Sequence, residues 1–357
     1  MIDTYSPDYA TARERFREAA QQAGWRLETC PVEGAGPSGE PLTVDAAIST
    51  SEPAEQTLIV SSGLHGVEGF FGSAVQLALL DRWKGQKTPV RCVLLHCLNP
   101  YGFAWLRRFD EHNVDPNRNF LLADEAFRGA PPLYAKFDAL LNPKRPPSRW
   151  DLFELQALGI IARYGVPALR QAVACGQYDY PQGIFYGGAG PSTSQRVLQS
   201  QMAHWLSGSR QVVHLDFHTG LGRRGEWKLL IDYPLPPEQR AWLVAWFGAA
   251  AFETFDATSI AYESRGSIGR WCQSQSFAAS YVYACAEFGT YPSLRVLTGI
   301  RAENQAHHWA EPNAAVTQQA KARLKELFCP ADARWRAHVL AQSLALVEQA
   351  IAGLATR

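Results

Sequence analysis

The chain predicts an α/β fold, a single domain with a central mixed, mostly parallel sheet and helices on both faces. Three observations carry this expectation. Apolar runs of strand length at 56–62, 89–96, 211–217 and 280–286 are separated by longer stretches, several with helical periodicity. At 357 residues, 46% hydrophobic and 19% charged, the chain can bury a sizeable core and is not disordered. Polar residues close several of the strand-like runs, at the carboxyl ends where α/β sheets gather their sites.

Residues 8–23 read as an amphipathic helix, with Pro7 just before it and Gly24 at its end. Two strand-like stretches follow at 26–32 and 41–48, separated by a Gly/Pro/Ser-rich loop at 33–39. The strand at 56–62 leads through glycines into a helix at 70–83, and a strand follows at 89–96. Residues 121–190 read as an insertion, with Pro131-Pro132, a basic loop at 142–147 and a helix from Trp150 to about Cys175. Its end, at 185–192, is glycine-rich but lacks the Gly-Lys-Ser/Thr of a phosphate loop. A strand at 211–217, a helix at 236–252, a strand at 280–286 and a C-terminal helix at about 331–353 complete the core.

Zero formal net charge argues against a nucleic-acid partner, which would need a basic face. No apolar run approaches the roughly 18 residues that span a bilayer. Residues 1–8 lack the basic region and apolar core of a secretory signal. The seven cysteines form no Cys-x-x-Cys pair, and Cys92, Cys97 and Cys285 sit in apolar runs as small hydrophobes. These features fit a soluble, reduced, cytoplasmic protein.

Four segments carry chemistry. In Leu64-His65-Gly66-Val67-Glu68-Gly69, a His and a Glu three apart on a helical turn face one side. Imidazole nitrogen with carboxylate oxygen suits zinc, and the pair supplies two of the three ligands a catalytic zinc needs. Chance alone supplies about half such a match, and His308-Trp309-Ala310-Glu311 is a second copy. That copy runs into Pro312, so His308 reads as a surface or capping histidine. The third ligand should end a strand. In Val212–Gly220, alternation puts Val213, Leu215 and Phe217 on one face and His214, Asp216 and His218 on the other. Either this is an edge strand with a solvated face, or His218 is a zinc ligand with His214 or Asp216 behind it. Arg107-Arg108 and Val114-Asp115-Pro116-Asn117-Arg118-Asn119 offer a guanidinium fork and an amide for a carboxylate, or else a solvated turn. Arg108 could stabilise an oxyanion, and Asp115 could hold the free nitrogen of a ligand histidine. Finally, Glu287 closes the run Tyr281–Phe288, placed for a general base or for a plain strand-end carboxylate.

In this order the four segments resemble the zinc carboxypeptidase family of metallopeptidases, over about 56–290. In detail, with Asn99-Pro100-Tyr101-Gly102 and Phe185-Tyr186-Gly187-Gly188, the chain looks like a bacterial branch known mainly as a domain of unknown function. The resemblance implies His65, Glu68 and His218 as ligands of one zinc, Glu287 as general base and Arg108 as the group polarising the scissile carbonyl. It further implies Asn117 and Arg118 as the carboxylate clamp and Asp115 as the group orienting His65. Tyr262, ahead of Gly266-Ser267-Ile268, is the candidate for the family's mobile tyrosine, one residue short in spacing. Val67 replaces a frequent arginine, the loop from Arg108 to Asn117 is short, and the 121–190 insertion could narrow the cleft.

The expected activity is zinc-dependent, carboxypeptidase-like hydrolysis of an amide near a free carboxylate, on a peptide. An apolar side-chain pocket follows if Ile268 lines it, whereas Arg223-Arg224 would favour an acidic group unless they are exposed. One alternative is an N-acyl amino acid deacylase of the aspartoacylase or succinylglutamate-desuccinylase type. Another is a binding module without turnover, against which an intact Glu287 argues. No Gly-x-Ser-x-Gly of a serine hydrolase occurs.

Overall fold

The computed structural model describes residues 3–50, 55–166, 173–253 and 264–357. Asp8 opens helix α1 (Tyr9–Gln22) by accepting a hydrogen bond from the Thr11 backbone N–H at 2.8 Å. Tyr9, Ala12, Phe16 and Ala20 recur at helical spacing and are buried, so this face packs on the sheet. Strands β1 (Arg26–Ala35) and β2 (Pro41–Ile48) form an antiparallel pair. Then follow β3 (Gln56–Ser62), α2 (Gly69–Trp83), β4 (Arg91–His96) and the short α3 (Pro100–Ala104).

Among the described residues, the segment 121–190 adds α4 (Pro132–Leu141) and α5 (Phe153–Tyr164) but no strand of the sheet. The helix expected from Trp150 to about Cys175 is thus shorter in its described part, and residues 167–172 lie outside the described residues. The chain continues through α6 (Thr193–Trp205), β5 (Gln211–Arg224), β6 (Trp227–Leu230) and α7 (Pro237–Phe247). Gly248, at φ +82°, ends α7 earlier than expected, and the two-residue β7 (Phe252–Glu253) follows. Helices α8 (Ile268–Ser274), α9 (Ser293–Trp309), α10 (Ala315–Phe328) and α11 (Ala333–Ala355) flank strand β8 (Ser280–Gly289).

The eight strands lie in the order β1-β2-β4-β3-β5-β8-β6-β7. The inner four, β4-β3-β5-β8, are parallel, while β1, β2 and β6 add antiparallel pairings. Parallel strands covered on both faces read as continuous apolar runs, and β3 and β4 are buried almost throughout. Strand β5 is therefore central, between β3 and β8, and the edge-strand reading of His214, Asp216 and His218 fails: all three are buried. Helix α11 has the length and composition of a membrane-crossing segment, yet half of its most apolar window is buried inside the fold. A second core joins insertion residues such as Tyr134, Phe153 and Phe185 to Val296, Ile300, Leu324 and Phe328 of α9 and α10. Val173, Phe185, Val296, Ile300 and Phe328 of this core line the cavity that His218 of β5 and Glu287 of β8 also line.

Candidate active site

His65 is not on a helix. It is an extended residue (φ −89°, ψ 117°) that leads into a single 3₁₀ turn, Gly66–Glu68, from which α2 continues. The turn's first N–H groups donate to the carbonyls of Arg108 (3.3 Å) and Arg107 (2.8 Å), which ties the Arg108 loop to the His-Glu pair. Gly66 is required by close approach: a Cβ there would lie 2.1 Å from the Gly102 carbonyl carbon in α3.

Glu68 then bridges two imidazoles. Its Oε1 lies 2.8 Å from His65 Nδ1 and its Oε2 lies 3.0 Å from His218 Nδ1. Ligand atoms of the three residues all fall within 4.8 Å of one another, and each residue is at most 4% exposed. The outward nitrogens are anchored by carboxylates, His65 Nε2 at 3.2 Å from Asp115 Oδ1 and His218 Nε2 at 2.7 Å from Asp216 Oδ2. Two nitrogens and a carboxylate, with each ring held from behind, form a donor set that fits zinc. Burial alone would raise the Glu68 pKa, but the charges of His65 and His218 bring it down to about 2. Burial disfavours the charged form of His218, but Asp216 and Glu68 outweigh it and hold its pKa well above 6.5.

Glu287 faces this cluster from β8, in register with His218. Its Oε1 accepts the Leu221 backbone N–H at 2.7 Å. Burial, and then the charge of Glu68, push its pKa up to about 7, a value suited to exchanging protons near neutrality. Arg108 donates from Nε to Asp115 at 2.9 Å, with its Nη1 3.4 Å from Glu68 and its Nη2 packed 2.7 Å from His65 Nε2. Asp115 is held far below its usual range, since Arg108, His65 and Arg118 overcome its burial.

Asn117 and Arg118 line the same cavity, of about 240 Å³, as do His65, Glu68, His218 and Glu287. The Asn117 side-chain oxygen accepts the Ile268 N–H at 3.2 Å, and Arg118 donates from Nε to the Ala174 carbonyl at 2.7 Å. Phe185 lies beneath both guanidinium groups, 5.5 Å from that of Arg108 and 5.9 Å from that of Arg118. The sequence thus indicated eight residues that the fold brings to one place. The ninth, Tyr262, lies outside the described residues.

Other expectations change. Ile268 is fully buried and not part of the cavity wall, where Leu230, Asp232 and Tyr283 stand instead. Arg224 pairs with Asp332 and Arg223 with Glu226, away from the cavity. Cys285 is no plain core residue: it lines the cavity, its Sγ 3.9 Å from Glu287 Oε2. His308 ends α9, and Glu311 lies beyond that helix, so this copy of the motif forms no metal group. Tyr283 and Asp232 were missed. Tyr283 shares a strand face with Glu287, a signal available from alternation, whereas nothing local distinguished Asp232.

Residues 5–342 match the family DUF2817, whose description is protein of unknown function. The chain belongs to that family. Among curated proteins no sequence matches. Solved structures resembling this DUF2817 member include thrombin-activatable fibrinolysis inhibitor, with 11% identity, TM-score 0.46, and coverage of 94% of this chain and 75% of that one. Murein-tripeptide amidase MpaA from Escherichia coli O157 shows 16% identity and a TM-score of 0.35, over 83% and 91% of the two chains. For succinylglutamate desuccinylase from Chromobacterium violaceum the figures are 16% and 0.38, over 92% and 76%.

Proposed function

We propose that this DUF2817 protein is a zinc-dependent, carboxypeptidase-like hydrolase that cleaves an amide bond near a free carboxylate. The observation that carries the reading is the convergence of His65, Glu68 and His218 with Glu287, Arg108 and Arg118 around one cavity. His65 Nδ1, Glu68 and His218 Nδ1 would hold the zinc. When bound, zinc supplies a Lewis acid and lowers the pKa of a water to about 7.

The protein's own residues do the rest. Arg118 and Asn117 hold the substrate carboxylate, which sets the distance of the scissile amide from the terminus. Arg108 sits against Glu68 and His65, where its guanidinium can meet the negative charge that develops on the amide oxygen. Glu287 takes a proton from the attacking water as the new C–O bond forms. It returns that proton to the amide nitrogen as the C–N bond breaks, so the products are a carboxylic acid and an amine. Asp115 and Asp216 keep the two rings turned toward Glu68.

The test is metal content and turnover together. Purified protein should retain about one zinc per chain, and His65→Ala with His218→Ala should lose it. Glu287→Gln should keep the metal and lose hydrolysis of C-terminally varied peptides and N-acyl amino acids, by roughly 10²–10⁴-fold for an acid–base residue. Full zinc retention in the double variant, or unchanged turnover in Glu287→Gln, would sink the assignment.

A further inference from the structure

The cavity lining combines two chemically opposite kinds of residue. Arg118, Asn117 and Asp232 are polar or charged, and the Ile268 N–H donates to Asn117. The rest of the lining is largely apolar: Ile161 and Val166 of the insertion and Leu294, Leu297 and Ile300 of α9, with Phe185 carrying this surface to the Arg118 guanidinium, 5.9 Å away. Most of these apolar residues belong to the second core or pack against it. Phe328 lines the cavity near Glu287: a Cβ on Gly220 would lie 3.0 Å from the Phe328 ring and 3.8 Å from Glu287 Oε1. His65, Glu68 and His218 line the same cavity.

The apolar character continues outward. Trp150, Leu152, Leu155, Leu158 and Val166 are the exposed large hydrophobics among the described residues, from 47% to 76% exposed. All five lie within 150–166, on or beside α5, the same stretch that sends Ile161 and Val166 into the cavity. A cluster of large apolar side chains left in water, continuous with an apolar cavity wall, marks a binding surface. Four of the five α9 residues that line the cavity are apolar, Ser293 at the helix start being the exception, and none is charged.

Resting on the hydrolase reading above, we infer that the substrate is an amphiphile. Its amino-acid carboxylate is held at Arg118, and the acyl part of its scissile amide is an apolar chain lying along the insertion and α9. Two sources share this chemistry, a fatty acyl group and an apolar amino-acid residue, and the experiment separates them.

Zinc-loaded protein is assayed on N-acylalanines from acetyl to decanoyl, and on N-blocked dipeptides with glycine, alanine or leucine before alanine. Each fully buried methylene should raise kcat/KM roughly three- to four-fold until the wall is filled. A rise continuing to decanoyl assigns a fatty acyl group. A rise confined to the dipeptide series assigns an apolar residue. Val166→Asp and Leu297→Asp should each flatten the profile while zinc content is unchanged. Val166 is 47% exposed, so its variant should fold.

The same ligands are titrated calorimetrically against zinc-loaded Glu287→Gln. If binding tightens with apolar length while the wild-type zinc-loaded protein turns over no substrate, the hydrolase reading fails and the apolar site stands. If acetyl and decanoyl compounds bind and react equally, the amphiphile inference is overturned and the hydrolase reading survives.

Discussion

Asp216 is the residue on which the candidate centre pivots. Its Oδ2 meets both His218 Nε2, at 2.7 Å, and the Tyr283 hydroxyl, at 2.8 Å, and its Oδ1 accepts from Ser61 Oγ at 2.6 Å. Ser61 has one proton and gives it to Asp216, so it must accept from His214 Nε2–H, 2.6 Å away. His214 Nδ1 is then left to accept from the Tyr281 hydroxyl at 2.8 Å. Burial keeps this imidazole neutral, with its pKa down at about 4, so the tautomer is self-consistent. Every donor in the chain has one acceptor, and the network fixes the His218 ring from behind. Asp216→Asn should therefore weaken zinc binding by roughly 10–100-fold, the usual effect of losing such a partner. Competition with a chelator measures it, alongside a circular dichroism spectrum that stays native. Zinc affinity unchanged from wild type would show that His218 needs no support from Asp216.

At the scale of elements, the loops are locked to one another at single residues. Gly266 has φ +67°, and a Cβ there would stand 2.1 Å from the Arg118 carbonyl oxygen. Gly266→Ala must either push Arg118 aside or unseat the segment ahead of α8. It should cost at least about 1–2 kcal/mol for the left-handed backbone and raise KM for carboxylate substrates. Thermal denaturation with steady-state kinetics tests both, and an unaltered KM would separate this contact from the carboxylate site. The same scale shows what the sequence made legible. Strands β3, β4, β5 and β8 are buried on both faces and so appear as apolar runs, with His65, His218 and Glu287 at their ends. Helix α9 stayed hidden because its buried side carries Arg301, Glu303, Asn304 and Gln305 in place of an apolar stripe. Glu303 is matched by Arg107 at 3.0 Å and Lys321 at 3.1 Å, partners remote in sequence that no local pattern announces. Asp232 escaped for a like reason: its place in the cavity depends on β6 pairing with β8, not on its neighbours.

For the molecule as a whole, the loop that delivers Arg108 and Asp115 makes stability depend on pH. Asp110 is buried, and its Oδ1 accepts the backbone N–H groups of His112 (2.9 Å) and Val114 (2.8 Å), bracing the loop. Those bonds favour the carboxylate, but burial, with Glu111 adding to it, wins and raises the pKa from 3.8 to about 7. The folded state thus holds this proton more tightly than the unfolded chain does. The resulting contribution is fully present below the ordinary aspartate pKa and is lost as pH rises through about 7. Its size is on the order of 4 kcal/mol, because each tenfold gain in proton affinity on folding is worth about 1.4 kcal/mol. Other groups titrate over the same window, so the decisive quantity is the difference between two proteins. Wild type and Asp110→Asn are unfolded in denaturant at a series of pH values between the two limits. The variant keeps an oxygen to accept from His112 and Val114 and cannot ionise, so it should lack this part of the decline. Its stability relative to wild type should then rise with pH. A difference that stays flat across the window would mean that Asp110 ionises in the fold at no cost, and that the loop is held by its backbone bonds alone.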